Sequence, residues 1–234
     1  SVVIDDQGLA KHVDEIGALI KNNMLNNVQA VRAMAVGDMD EPITPHSGTS
    51  DDDDDDEDAG LELSHESKVI DLSLAKKLRK EFPYRFRSYS KWDLLFSTEL
   101  HGSSVGTFFN RTGWRSPTLL LVMDETRAVF GAFCSAPWEM HYSYFGTGEC
   151  FVWKAEEDRL QIYRWGMQND MFQLAHKKDG IAVGGGKSHA IWFDAAFENG
   201  VSGPCETFNS PALSGNGNEQ PWRVLHMEAW GLSF

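Results

Sequence analysis

"TLLLVMDETRAVFGAFC", residues 118–134, consists of two apolar runs separated by the polar tetrapeptide DETR at 124–127. Short apolar runs joined by a few polar residues are typical of two antiparallel strands in a hairpin. The stretch "CFVWKAEEDRLQIYRW", residues 150–165, repeats this arrangement around EED at 156–158. These two predicted hairpins indicate an antiparallel sheet at the centre of the chain.

Further predicted strands lie on both sides of the hairpins, with turn-like polar or glycine residues between them. They are WDLLFST at 92–98, MFQLAH at 171–176, IAVGG at 181–185, HAIWFD at 189–194 and WRVLHMEAWGL at 222–232. One short helix is predicted within 67–83, capped by Asp71 or Ser73 and ended by Pro83, and one or two helical turns within 101–109. The pattern predicts an α+β protein, mainly β, folded as a two-layer antiparallel β-sandwich with short flanking helices.

The first third of the chain has a different character from the rest. Apolar residues recur at steps of three and four from Leu9 to Ala35, which predicts an N-terminal amphipathic helical segment at 1–37. Residues 38–67 are interpreted as an acidic, disordered linker, because eight consecutive acidic residues at 51–58 repel one another within the ~8 Å Debye length. The folded body is therefore predicted at 68–234, with a helix attached through an acidic tether.

The charge is divided as unevenly as the hydrophobic pattern. Residues 1–67 carry 17 acidic and three basic residues, whereas residues 68–234 carry 18 of each sign. Neither part has the net basic charge of a nucleic-acid-binding protein. No apolar run approaches the ~20 residues that a membrane helix needs, so we expect no direct membrane insertion. Three scattered cysteines favour a reducing, cytoplasmic location.

The stretch "YFGTGECFVW", residues 144–153, allows three interpretations. A phosphate-binding loop would need a helix after its glycines, but the pattern here predicts a strand. A reactive thiol at Cys150 would need a depressed pKa and some exposure, and the neighbouring carboxylate of Glu149 disfavours a thiolate. The preferred interpretation is the corner of a folded sheet, where Gly146 and Gly148 allow positive φ or a close backbone approach.

Two carboxylates follow small-residue turns, Glu149 after "GTG" and Glu206 after "SGPC". A carboxylate at such a position can accept backbone N–H groups that a tight turn leaves unpaired. We therefore expect both side chains to have this structural role.

Catalysis is weakly supported by residue types alone. A serine hydrolase would need serine, histidine and a carboxylate to converge, and the types are supplied by Ser97, His101, Ser103, Ser104, Asp124, Glu149 and Glu206. The eight histidines are dispersed, and no HxxxH or CxxC pair occurs. We predict a non-enzymatic protein without a metal site or cofactor.

Several motifs together resemble the TLDc domain, the domain of the oxidation-resistance proteins. They are KWDLLFSTELHGSS, AVFGAFCSAPW, YFGTGECFVW, IAVGGG, IWFD, SGPCETF and MEAWGL, in that order, and the resemblance covers 68–234. The positions that match the family motifs are Gly146, Gly148, Glu149, Cys150, Gly184, Gly185, Gly186, Glu206, Thr207, Trp230 and Gly231. The chain departs from the family pattern at 166–169, where GMQN replaces the frequent threonine-glycine-x-asparagine.

The resemblance implies a β-sandwich that acts by binding another protein. Family members bind the peripheral sector of the vacuolar-type proton ATPase and regulate its assembly or activity, and some support resistance to oxidative stress. Such a protein is expected in the cytoplasm, with recruitment to vacuolar or lysosomal membranes through the pump. The alternative is a thiol-based antioxidant that uses Cys150. The expected partner-binding loops contain Glu99, His101, Ser103, Trp138, His141, Tyr142 and Lys187.

Overall fold

The computed structural model describes residues 60–157 and 159–234. The predicted helix within 1–37 and the acidic run at 51–58 lie outside the described residues. Within residues 60–67, which the sequence assigned to the linker, strand β1 (Glu62–Leu63) pairs in parallel with β2 (Lys91–Ser97). Backbone hydrogen bonds from Glu62 N to Ser90 O (2.8 Å) and from Ser64 N to Trp92 O (2.9 Å) hold this segment. The prediction that 60–67 belong to the linker was therefore wrong, because these residues extend the sheet.

The prediction of a mainly β, antiparallel fold with few short helices is confirmed. The helices among the described residues are α1 (Leu72–Lys80), α2 (Thr98–His101) and α3 (Val105–Thr112), with a short 3-10 helix at Tyr84–Phe86. The remaining strands are β3 (Thr118–Asp124), β4 (Val129–Cys134), β5 (Phe151–Glu156), β6 (Arg159–Arg164), β7 (Gln173–His176), β8 (Gly180–Val183), β9 (Ile191–Phe193), β10 (Asn199–Val201) and β11 (Pro221–Ser233). Both predicted hairpins, β3–β4 and β5–β6, are present.

Helix α1 begins where the sequence predicted. The side chain of Asp71 accepts a hydrogen bond from the backbone N–H of Leu74 at 2.7 Å, which satisfies one of the unpaired donors of the first turn. Ala75 and Leu78 are buried on one face of the helix. The helix ends at Lys80, and Pro83 precedes the 3-10 helix rather than capping α1.

The strands form two sheets that share the long strand β11. Sheet A has the order β6-β5-β4-β3-β11-β2-β1, and sheet B has the order β7-β8-β9-β10-β11. The first residues of β11 pair with β10, and its later residues pair with β3 and β2. The pairing register with β3 shifts between Val224 and His226, as at a β-bulge, which bends a strand and lets it pass from one sheet to the other.

Sheet A is covered on both faces, which explains the uninterrupted apolar run of β3. Leu120 and Val122 point into the core between the sheets, where sheet B contributes residues such as Phe193. Leu119 and Leu121 point to a second core on the opposite face, formed with α1 and the 3-10 helix. A strand buried on both faces does not alternate between apolar and polar residues.

Candidate functional site

The glycine-containing motifs converge on the loop 165–172, which joins β6 to β7. A Cβ atom at Gly148 would lie 2.2 Å from Cε3 of Trp165, so only glycine allows this approach. On the other side of the loop, Gly184 N donates to Phe172 O at 2.9 Å and Gly166 N donates to Thr207 O at 2.8 Å. We call the four segments 145–150, 165–172, 184–186 and 205–209 the glycine corner.

Three glycines of the corner adopt left-handed backbone conformations. The φ angle is +100° at Gly146, +75° at Gly184 and +106° at Gly186. The space beside them is also occupied, because a Cβ at Gly184 would lie 2.5 Å from the Sγ atom of Cys205. Positive φ and close packing together account for glycine at these positions.

The hydroxyl group of Thr207 links three segments of the corner. This residue is fully buried, and its Oγ1 accepts a hydrogen bond from Gly185 N at 2.9 Å. The same oxygen lies 2.7 Å from Oδ1 of Asn169, to which it donates. Asn169 is the last residue of the GMQN departure at 166–169, so this loop keeps a role inside the corner.

The turn at 146–149 is held by a second hydroxyl group, that of Ser135 at the end of β4. Ser135 Oγ accepts hydrogen bonds from Thr147 N at 2.9 Å and from Thr147 Oγ1 at 3.0 Å. Beside it, the buried side chain of Gln173 forms two 3.1 Å hydrogen bonds with the backbone of Ala136. Sequence reasoning missed Ser135 and Gln173, although a glutamine within the apolar run MFQLAH was a usable signal.

The role predicted for Glu149 and Glu206 was wrong. Glu149 forms a bidentate ion pair with the exposed guanidinium of Arg85. The carboxylate of Glu206 lies 3.9 Å from Lys187 Nζ. Within 60–157 and 159–234, neither carboxylate accepts a turn N–H. Hydroxyl groups take that role inside the corner, because a neutral acceptor costs less to bury than a carboxylate.

The three thiol groups are buried, and those of Cys150 and Cys205 are hydrogen-bonded within the protein. Cys150 Sγ lies 3.3 Å from Ser135 Oγ, and burial raises the pKa of the Cys150 thiol. Burial likewise raises the pKa of Cys134, and Cys205 Sγ donates to Gly185 O at 3.5 Å. A reactive thiol needs the opposite, a depressed pKa and access to solvent. The structure therefore argues against the thiol-based alternative at Cys150.

Three of the hydrolase candidates, Ser97, His101 and Asp124, have local hydrogen-bond partners. Ser97 Oγ accepts the backbone N–H of Glu99 at 3.2 Å, and His101 Nδ1 accepts the backbone N–H of Ser97 at 3.0 Å. The buried carboxylate of Asp124 accepts backbone N–H groups from the β3–β4 turn and from Gly215. Desolvation, followed by the charge of Arg111, lowers the pKa of His101. Each group is thus engaged in local structure.

No group of three or more histidine, cysteine or acidic residues suited to holding a metal ion occurs within the described part of the chain. No helix in the described ranges is long and apolar enough to cross a membrane.

The motif residues Trp230 and Gly231 lie on β11, in the part that pairs with β2 and β3, and Trp230 belongs to the second core. Trp230 Nε1 donates to the carboxylate of Glu228 at 2.9 Å. Glu228 is itself buried and also accepts Ser67 Oγ at 2.7 Å and Lys68 N at 2.8 Å. Glu228 therefore anchors the start of the folded body to β11. Sequence reasoning missed it, although a single acid within the apolar run MEAWGL indicated a buried carboxylate.

Trp138, predicted in a partner-binding loop, cannot contact a partner. Its side chain is completely buried, its Nε1 donates to Thr118 Oγ1 at 3.1 Å, and its ring packs against Phe108 with centroids 5.5 Å apart. The buried indole therefore supports the loop that carries it.

The other predicted partner-binding residues lie on three loops around 99–103, 138–145 and 186–189. His141, Tyr142 and Lys187 are exposed, and the last two loops are joined by a 3.2 Å contact between Tyr144 Oη and His189 Nδ1. The 99–103 segment lies instead against β11, where Glu99 Oε2 is 3.5 Å from His226 Nδ1. His101 is half-buried and Ser103 is exposed.

Comparison with known proteins gives one family. A family model described as the TLDc domain matches residues 63–233. "GTPase-activating protein skywalker" of Drosophila melanogaster is 36% identical over 157 residues, 59% of this chain and 26% of that protein. "Oxidation resistance protein 1" of Xenopus laevis is 32% identical over 172 residues, 73% of this chain and 19% of that protein. "Nuclear receptor coactivator 7" of Gallus gallus is 30% identical over 169 residues, 72% and 18% respectively. The chain thus spans about a quarter or less of the length of these relatives.

Proposed function

Because the chain belongs to the TLDc domain family, we propose that it is a non-enzymatic interaction module that binds and regulates a vacuolar-type proton ATPase. In this proposal it binds the peripheral sector of the pump, is recruited from the cytoplasm to vacuolar or lysosomal membranes, and supports resistance to oxidative stress. The name of the Xenopus relative, oxidation resistance protein 1, supports the last part. The pump is the partner that the family resemblance implies.

The observation that carries the proposal is that the side chains of the glycine corner contact one another. Trp165 fills the space beside Gly148, and the hydroxyl of Thr207 bonds Gly185 and Asn169. These groups are therefore engaged in shaping the scaffold rather than arranged around a substrate. A scaffold that is rigid before binding loses little conformational freedom when it docks, which favours recognition by a preformed surface.

The surface that the scaffold presents fits protein recognition. Tyr142 is fully exposed and Met140 largely so, and both residue types are enriched at protein interfaces. Since residues 68–234 carry equal numbers of acidic and basic residues, binding depends on local patches rather than on overall charge.

The proposal is tested by immobilising the 234-residue chain and measuring retention of the purified peripheral sector of the proton ATPase at near-physiological salt. The double variant Tyr142→Ser/Lys187→Glu changes two exposed residues on joined loops and should reduce retention. Lys68→Glu/Lys91→Glu changes two exposed lysines, one before α1 and one on β2, and serves as the matched control. Absence of retention with the unmodified chain would reject the proposal.

The role of thiol chemistry is tested separately in cells exposed to peroxide. A variant with Cys134, Cys150 and Cys205 replaced by alanine should protect cells as well as the unmodified chain, because all three thiols are buried. Circular dichroism establishes that the variant is folded. If the folded variant no longer protects, the thiol-based antioxidant becomes the better function.

A further inference from the structure

The outer face of sheet B carries an apolar row. Leu174 on β7 pairs with Ala182 on β8, which pairs with Trp192 on β9. Their neighbours Ala175, Ile181 and Phe193 point into the core, so the row points outward. The three helices make their main contacts with β2, β6 and β11, and Leu174 and Trp192 remain only half-buried. This face therefore differs from the covered outer face of sheet A.

The loop 138–145, which lies between β4 and β5 in the chain, turns this row into a groove. His141 N donates to Ala175 O at 3.0 Å, and Phe145 and Gln173 exchange two 2.9 Å backbone hydrogen bonds. The loop is thus fixed along the edge of β7, and Met140 and Tyr142 stand exposed beside the row. Two adjoining depressions result, the larger of 410 Å³. We call them together the Tyr142 groove, with Met140, Tyr142, Leu174 and Trp192 as its apolar part.

The rim of the Tyr142 groove is positively charged. Lys177 and Lys178 in the β7–β8 turn line the larger depression and are exposed. Within the residues that the structure describes, neither lysine has an ion-pair partner. Asp179, the next residue in the turn, lines the smaller depression and lies 2.7 Å from His176 Nδ1. Arg85, Arg115, Lys154 and Arg164 each face a carboxylate, whereas Lys177, Lys178 and Asp179 together leave this turn with one excess positive charge.

We propose that the Tyr142 groove binds an acidic segment of a partner protein, with large apolar side chains against Tyr142 and Trp192 and carboxylates beside Lys177 and Lys178. The inference deepens the proposed function, since it names the surface and the chemistry of the partner. Tyrosine and tryptophan supply most of the binding energy in many interfaces, and opposite charges at the rim speed association and select the partner.

Two other binding modes fit the groove less well. Addition of a strand to β7 needs an open edge, but the loop 141–145 already occupies that edge through its bonds to Gln173 and Ala175. Attraction to an anionic membrane uses clusters of about four to eight basic residues, whereas the groove has two lysines. The floor of the Tyr142 groove is concave and apolar, which favours an inserted peptide side chain over an added strand or a membrane surface.

The test begins with a random peptide library, displayed on phage, selected on the 234-residue chain. Selected peptides should combine acidic residues with one or two aromatic or aliphatic residues. Binding of labelled selected peptides is then measured by fluorescence anisotropy. Lys177→Glu/Lys178→Glu should weaken binding at least about tenfold, and Tyr142→Ser should do the same. The control Lys68→Glu/Lys91→Glu should stay within about twofold of the unmodified chain, and binding should weaken with added salt.

Any result that differs from these expectations overturns the inference. Selection of basic or uncharged peptides, or retention of binding in both groove variants, would exclude an acidic occupant at this place. Failure to select any peptide on both the unmodified chain and a chain lacking 51–58 would exclude it as well. Binding to vesicles of phosphatidylcholine and phosphatidylserine that depends on the same lysines would make the groove a membrane contact. A chain lacking 51–58 should bind the peptides unchanged. Binding seen only in that deletion would identify the chain's own acidic run as the occupant.

The two proposals can fail separately. If the lysine reversal leaves retention of the proton ATPase sector intact but abolishes peptide binding, the groove serves another partner and the proposed function stands. If the chain binds acidic peptides but never retains the pump sector, the groove inference stands and the proposed function fails. If both interactions depend on the same lysines, the groove is the pump-binding surface.

Discussion

Replacing Thr207 by valine tests whether one hydroxyl group holds the glycine corner together. Valine has nearly the same shape as threonine, so the change removes hydrogen bonds without opening a cavity. The buried Gly185 N–H loses its 2.9 Å acceptor, at a cost of about 1–3 kcal/mol, and loss of the bond to Asn169 adds about 1 kcal/mol. We therefore expect the free energy of unfolding to fall by about 2–4 kcal/mol.

Thr207→Ser is the matched control, because serine keeps the hydroxyl and removes only one methyl group. Its cost should be about 1 kcal/mol. Urea unfolding followed by tryptophan fluorescence measures both variants, and the slope of free energy against urea should be the same as for the unmodified chain. The reasoning is refuted if valine is as stable as threonine, or if serine is as destabilising as valine.

Three further changes test other parts of the same structure. Gly148→Ala should destabilise the fold by about 1–3 kcal/mol, because a Cβ there meets an indole ring. Gly106→Ala in α3, whose Cβ would make only an ordinary 3.6 Å contact with Ser104 Oγ, should be neutral or stabilising in thermal unfolding. Glu228→Ala removes an acceptor of three hydrogen bonds and should lower the free energy of unfolding by about 3–5 kcal/mol. The change should also expose the 60–70 segment to limited proteolysis. Unchanged digestion of that segment would contradict the anchoring role of Glu228. Burial raises the pKa of Cys134 and Cys150 above the ordinary thiol value of 9.0. The stabilisation that these neutral thiols give is therefore fully present below that pH and should be lost as the pH rises through their pKa values in the folded protein. Urea unfolding from about pH 8 to about pH 11 measures this effect. The free energy of unfolding should fall less steeply with pH when Cys134 and Cys150 are both alanine, and an equally steep fall would contradict the expectation.

The strand pattern and the hairpins could be read from the sequence because they depend on neighbouring residues. The runs on either side of 124–127 pair with each other as β3 and β4, and the cap at Asp71 lies one turn from the donor that it satisfies. The loop glycines were also identified correctly as a sheet corner. These features involve residues close in the chain, and local sequence carries the necessary information.

The chemical roles inside the corner could not be read in the same way. Glu149 and Glu206 follow turns whose backbone N–H groups need a hydrogen-bond acceptor. The acceptors are instead the hydroxyl groups of Ser135 and Thr207. Trp138 lies in a loop that was predicted to bind a partner, yet it is buried. Which side chain points inward depends on packing against segments that are distant in the sequence. The local pattern of neighbouring residues does not contain this information.

By itself, the sequence of this chain determined a β-rich body, its hairpin pairs and the positions where glycine is needed, since periodicity and turn chemistry act over a few residues. Only the tertiary structure decided that β11 passes from one sheet to the other, that Glu228 holds the start of the body, and that Tyr142 and the lysines of the β7–β8 turn line one groove. These arrangements join residues that are distant in the chain, and the burial of shared surface brings them together.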